Sequence, residues 1–209
     1  MEKVMYRELA KSDYEQIKKL IYDAFGFNDF LKDEKLLDLV LTIYLEGCIL
    51  DSTYSKVAIK DDKVIGIILG KAYEDKNKIR KLHNSINFLT TGTKLMVCGK
   101  KNKQSLKEFS KIKNTYKEII DGKEKEFQGC IQLFIVSQES RGLGVGKSLV
   151  SQLFNYMRGM NVNSLYLYTD TRCNYSFYDS QNFKRINEKN IYFESFKTNL
   201  GVFLYGYKF

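Results

Sequence analysis

From Val4 to Ala10 the chain reads VMYRELA, with apolar and polar residues mixed at short range, which predicts a short first strand. Apolar residues then return at helical intervals, at Ile17, Leu20, Ile21 and Phe25, and Ser12 stands where an N-cap is expected. A second helical stripe, Leu36, Leu37, Val40 and Leu41, begins near Asp33 and is expected to break at Gly47. Beyond it, SKVAIK and KVIGIILGKAY flank the polar pair Asp61-Asp62, the pattern of two strands joined in a hairpin.

Between Tyr73 and Gln128 this rhythm lapses. Ile79, Leu82, Ile86 and Leu89 share one helical face, and Leu106, Phe109, Ile112, Tyr116 and Ile119 share another, with TTGTKLMVCGKKNK between them as a loop. Residues 73–128 therefore read as a helical insertion in a single domain spanning 1–209. Afterwards CIQLFIV is a buried strand, the glycine-rich RGLGVGKS leads into a helix with the inner stripe Leu149, Val150, Leu153, Phe154 and Met157, and SLYLYTD is a further strand. NYSFYDSQ reads as a short helix, and NIYFES and GVFLYGYKF as a closing strand pair. The order β-α-α-β-β-(helical insert)-β-α-β-α-β-β predicts an α/β protein, a mixed sheet with helices on both faces.

Composition narrows the class. The 209 residues are 44% hydrophobic and 28% charged, ordinary values for a globular domain, and include no proline. No apolar run approaches the ~18–20 residues of a membrane span, and the first residues lack a signal-peptide core, so no membrane partner is expected. Cysteines 48, 98, 130 and 173 are far apart with no CxxC, so reduced thiols in a cytoplasmic protein, and no metal site, are expected. The net charge of +9 is concentrated: residues 72–129 hold 14 Lys/Arg against 7 Asp/Glu. A solvated basic face explains this without nucleic acid, since the aromatic residues among these lysines (Tyr73, Phe88, Phe109, Tyr116, Phe127) are sparse and two follow core spacing.

The candidate chemistry sits in RGLGVGKS, because a glycine-rich turn from strand to helix is a phosphate cradle. An ATP-binding loop ending at Gly146-Lys147-Ser148 needs glycine where Arg141 stands, and a dinucleotide fingerprint needs its third glycine where Lys147 stands. What fits is [RQ]-x-x-G-x-[GA], from Arg141 to Gly146. With this loop, and with Asn174, Tyr178 and the Asn182-Phe183 turn in NYSFYDSQNF, the chain resembles the GNAT superfamily of acetyl-CoA-dependent N-acetyltransferases over its full length. Three departures stand out: the insertion, Asn182 in place of the usual glycine, and Gln138 where the family often has proline.

The resemblance implies a mostly antiparallel sheet of six to seven strands, acetyl-CoA as cofactor, and a primary amine of a small molecule or peptide as acceptor. It implies that Arg141, Gly142, Leu143, Gly144, Val145, Gly146 and Lys147 hold the pyrophosphate, with Asn174 contributing to cofactor binding. The main chain around Phe134 and Val136, on a strand splayed from its neighbour, would polarise the acetyl carbonyl. Tyr178 takes the position of the acid for the departing thiolate. Spacing alone places Asn174 and Tyr178, four apart, on one helix face. The base is not legible: Asp170, Glu139 and Glu46 are all open, and the single histidine, His83, reads as structural or solvated. A non-catalytic acyl-CoA-binding module is the alternative, a nucleic-acid-associated protein a weaker one, and a homodimer is left open as protein partner.

Overall fold

The computed structural model describes residues 3–26, 33–77, 100–194 and 197–209. In chain order the elements are β1 (Met5–Arg7), α1 (Tyr14–Phe25), α2 (Glu34–Leu50), β2 (Tyr54–Lys60), β3 (Lys63–Ala72), α3 (Lys100–Ile120), β4 (Gly129–Val136), α4 (Val145–Gly159), β5 (Ser164–Asp170), α5 (Ser176–Ser180), β6 (Lys184–Phe193) and β7 (Thr198–Lys208). The strands form one sheet in the order β1-β2-β3-β4-β5-β7-β6. Every neighbouring pair is antiparallel except β4 and β5, so the expected mixed, mostly antiparallel architecture is the one observed.

Strand alternation divides the core between two faces. On one face, Leu149, Leu153 and Met157 of α4 pack with Ile68, Ile131, Leu165, Leu167, Phe203 and Tyr205. On the other, α1 and α2 bury Ile17, Ile21, Leu45 and Ile49 against Val57, Ile67, Leu69, Leu133 and Ile135. Beside them on that same face, α3 sets Ile119 and Ile120 against Ile191, Val202 and Leu204. Each fully buried aliphatic side chain contributes on the order of 1.5–3 kcal/mol by leaving water, which is why the stripes read from sequence decide the layering.

Several boundaries differ from expectation, for local reasons. Ser12 does not cap α1; it lies in the 3-10 turn Lys11–Asp13, and Asp13 precedes the helix. The Asp13 carboxylate accepts the Ala10 N–H at 2.8 Å and pairs with both Arg7 guanidinium nitrogens at 2.7 Å. Charge-assisted bonds of this kind outweigh what a neutral hydroxyl offers. Asp33 does cap α2, accepting from Lys35 N and Leu36 N, but the helix runs straight through Gly47. Burial of Leu45 and Ile49 around that glycine outweighs its helix penalty of roughly 1 kcal/mol.

The hairpin turn is as expected, with Asp61 and Asp62 both at positive φ (51° and 57°). In the insertion, Lys100 to Lys103 belong to α3 rather than to a loop. The stripe Ile79, Leu82, Ile86 and Leu89, loop residues 90–99, His83 and Cys98 lie outside the described residues. β6 starts at Lys184, earlier than NIYFES suggests, because β7 offers partners back to Gly206. The first strand shrinks to Met5–Arg7, paired with Ile59, Ala58 and Val57.

Candidate active site

β4 and β5 are joined at only two positions, Gly129 with Leu165 and Cys130 with Tyr166. Each strand goes on pairing with its other neighbour, β4 with β3 as far as Val136 and β5 with β7 as far as Asp170. Between 131–136 and 167–170 the sheet is therefore parted. Ser137 N donates to Ile65 O at 2.8 Å, which fixes the bonded phase of the β3–β4 ladder. Antiparallel alternation then aims the N–H and C=O groups of Phe134 and Val136 away from β3, into the parting.

A β-bulge prepares this geometry. The register steps from Leu69↔Leu133 to Gly70↔Ile131, leaving Gln132 without a partner position. The extra residue resets the alternation, so Ile131, Phe134 and Val136 all face α4 while Leu133 and Ile135 face the α1–α2 side. No cue in CIQLFIV announces the bulge.

At the mouth of the parting stands the start of α4. Gly142 (φ 82°) and Gly144 (φ 74°) adopt left-handed backbone, and a Cβ added at either would meet nothing within 4 Å. The first helical bond runs from Ser148 N to Gly144 O, so the N–H groups of the preceding turn keep no intrahelical acceptor and face an open surface. Gly146 is needed for a different reason: a Cβ there would lie 3.2 Å from the Phe177 ring and 3.4 Å from the Phe134 ring. Arg141 and Leu143 are exposed and Val145 is buried in the core, as the loop requires. The side chain of Lys147 lies toward β1, in a shallow recess of about 450 Å³ shared with Tyr6, Ser148, Ser151 and Gln152.

Tyr178 lies on the α4 side of the sheet, 8% exposed, within an aromatic group of Phe134, Phe177, Phe183 and Tyr205 at centroid distances of 5.6–6.3 Å. Burial, and then the neighbouring Cys173 and Asp170, push its phenol well above the ordinary value. Asn174 does not share a helix face with it. α5 begins only at Ser176, and Asn174 lies before it, exposed, its side-chain oxygen accepting from Ser176 Oγ at 2.8 Å. The turn after α5 is as expected, Asn182 taking φ 63°.

The three candidate carboxylates separate. Glu139 is exposed in the turn after β4, and Glu46 is buried in α2. Asp170 closes β5 at the parting, 8% exposed. Its carboxyl is raised by burial against the opposing pull of the Arg172 N–H at 2.8 Å. Cys173 beside it is pushed up to about 12, chiefly by burial and then by Asp170. Tyr116 lies near Asp170 and stacks on Tyr168, two residues before it on β5; Tyr116 was legible only as one member of a core stripe, and Tyr168 carried no signal beyond being aromatic. Cys48, Cys130 and Cys173 are free thiols, and no described helix is long and apolar enough to cross a membrane.

A parallel pair that opens beside a glycine-capped helix start, at the centre of an otherwise antiparallel sheet, defines a class. The chain belongs to the acetyltransferase (GNAT) family, whose family model matches residues 14–183. No curated protein matches the sequence. Among solved structures it is similar to an agmatine N-acetyltransferase mutant in its apo form (TM-score 0.59, 11% identity, covering 100% of each chain). It is similar also to the ribosomal-protein-S18-alanine N-acetyltransferase of Escherichia coli (0.57, 10%, covering 99% of this chain and 94% of that one). A third is the NatC complex bound to Gag peptide and CoA (0.51, 15%, covering 100% and 99%). At such identities these likenesses establish the fold.

Proposed function

We propose that this protein is a cytoplasmic N-acetyltransferase that moves an acetyl group from acetyl-CoA to a primary amine by direct attack. The observation that carries this is the parting of β4 from β5 directly beneath the start of α4. Its residues fit coenzyme A: open space at Gly142 and Gly144 and unbonded N–H groups at a helix start suit a pyrophosphate, and the narrow parting suits its extended arm. Bound there, acetyl-CoA supplies an activated acyl group on a thiol leaving group.

The chain's own groups have these roles. Arg141 through Lys147 cradle the phosphates, by main-chain N–H groups and the Arg141 charge, and the exposed Asn174 contributes to cofactor binding. Phe134 and Val136 N–H groups point to where negative charge develops on the acyl oxygen. Tyr178, held protonated by its raised pKa, donates a hydrogen bond to the departing sulfur. Asp170, raised toward neutrality by burial, takes the proton of the attacking amine, directly or through water.

Acetyl-CoA at millimolar concentration should raise the melting temperature, and Gly144→Asp, which adds a side chain at positive φ and a negative charge, should remove that shift without unfolding the protein. No shift for the natural protein sinks the cofactor assignment. A shift without free-thiol release on any amine would instead establish a binding-only module.

A further inference from the structure

The face of the sheet opposite α4 is covered by α1 and α2 on one half and by α3 on the other. α1 and α2 together pack on β2, β3 and β4, α3 packs on β7 and β6, and the boundary between these two clusters falls where β4 parts from β5. From α2, the Cys48 thiol reaches to 3.8 Å from the carbonyl of the bulge residue Gln132. From α3, the Tyr116 ring stacks on Tyr168 of β5 at 4.2 Å and 6°. Asp170 follows Tyr168 on the same face of β5, where that strand ends beside the parting. Burial, and behind it Asp170, Cys173, Tyr168 and Cys48, push the Tyr116 phenol up, and Tyr44 stands one helical turn before Cys48 on α2.

Resting on the acetyltransferase reading, we propose that the insertion helix α3 is the acceptor-side wall of this site. The Tyr116–Tyr168 stack, with Asp170 next along the same face of β5, receives a small alkylamine and excludes the end of a polypeptide chain. The selection for cations follows from a buried carboxylate behind aromatic faces, which attract ammonium groups. The selection against polypeptides follows from where α3 lies. An extended chain leaving the parting on this side would cross β5, β7 and β6, and that surface is taken. Ile119 and Ile120 are buried on it, Asn187 Nδ2 donates to Ile119 O at 2.9 Å, Lys111 donates to Tyr192 O at 3.1 Å, and Lys189 pairs with Glu118.

The test compares linear mono-, di- and polyamines with short peptides bearing a free N-terminus. It measures binding to the CoA-loaded protein by calorimetry and turnover by thiol release. Small amines should bind and react in preference to peptides. Tyr116→Leu should raise both Kd and KM for the best amine about tenfold or more while leaving the KM for acetyl-CoA within about twofold. Tyr116→Phe, which keeps the ring face, should stay close to the natural protein. Preference for peptides, or an unchanged amine Kd in Tyr116→Leu, overturns the proposal. Because amine binding is read without turnover, failure to transfer acetyl would count against the enzyme reading alone.

Discussion

Tyr178 and Asp170 are the residues whose surroundings most exceed what their identities promise. Tyr178→Phe preserves every ring contact of the aromatic group and removes only the hydroxyl, so kcat should fall on the order of 10²-fold with acetyl-CoA affinity intact. Equal turnover in steady-state assay would remove the phenol from the mechanism. For Asp170 the folded state holds the carboxyl proton to a higher pH than the unfolded chain does. Ionisation at neutral pH therefore opposes folding, and that opposition fades as pH falls below the folded pKa. Asp170→Asn, which can still accept from Arg172 N–H, should raise Tm at pH 7 with a shrinking advantage toward acid, while acetyl transfer collapses. A lower Tm at pH 7 would show that the carboxylate serves the fold rather than the chemistry.

At the level of elements, periodicity revealed α1, α2, α4 and the central strands because each buries one continuous stripe. It misjudged places decided by neighbours: Gly47 stays helical because its surroundings are core, and Lys100 to Lys103 join α3. The glycine loop was legible because its chemistry is local, positive φ at a helix start. The parting of β4 from β5 was legible only through family resemblance, and the bulge at Gln132 not at all, since both depend on which strands meet. Asn174 and Tyr178 illustrate the same limit, as a four-residue spacing means one helix face only where the helix includes both residues. The hairpin offers a direct check. Asp61 and Asp62 both hold left-handed backbone, which asparagine and glycine tolerate better. Replacing the pair by Asn-Gly should stabilise the protein by about 0.5–1 kcal/mol in urea denaturation, with activity unchanged.

Across the whole molecule, two halves of a sheet meet at two backbone register pairs, and side chains supply the rest of the connection. The core under α4 draws on β2, β3 and β4 from one half and on β5 and β7 from the other, with Leu153 fully buried between them. Leu153→Ala should cost about 2–5 kcal/mol and lower the urea midpoint in a single transition read alike by tryptophan-free far-UV dichroism and tyrosine fluorescence. Two separated transitions would show that the halves unfold independently.

The ends of the insertion have a consequence of their own. Ala72 and Gly129 are register partners, and Tyr73 N donates to Gln128 O at 2.9 Å, so the long excursion leaves and re-enters the sheet at a single rung. Its junction is already that of a hairpin, and the entropy of loop closure grows only with the logarithm of the residues enclosed. Length could thus be gained or shed at this rung without disturbing the strands on either side. Shedding it would uncover Val202 and Leu204, and with them a path for a longer acceptor.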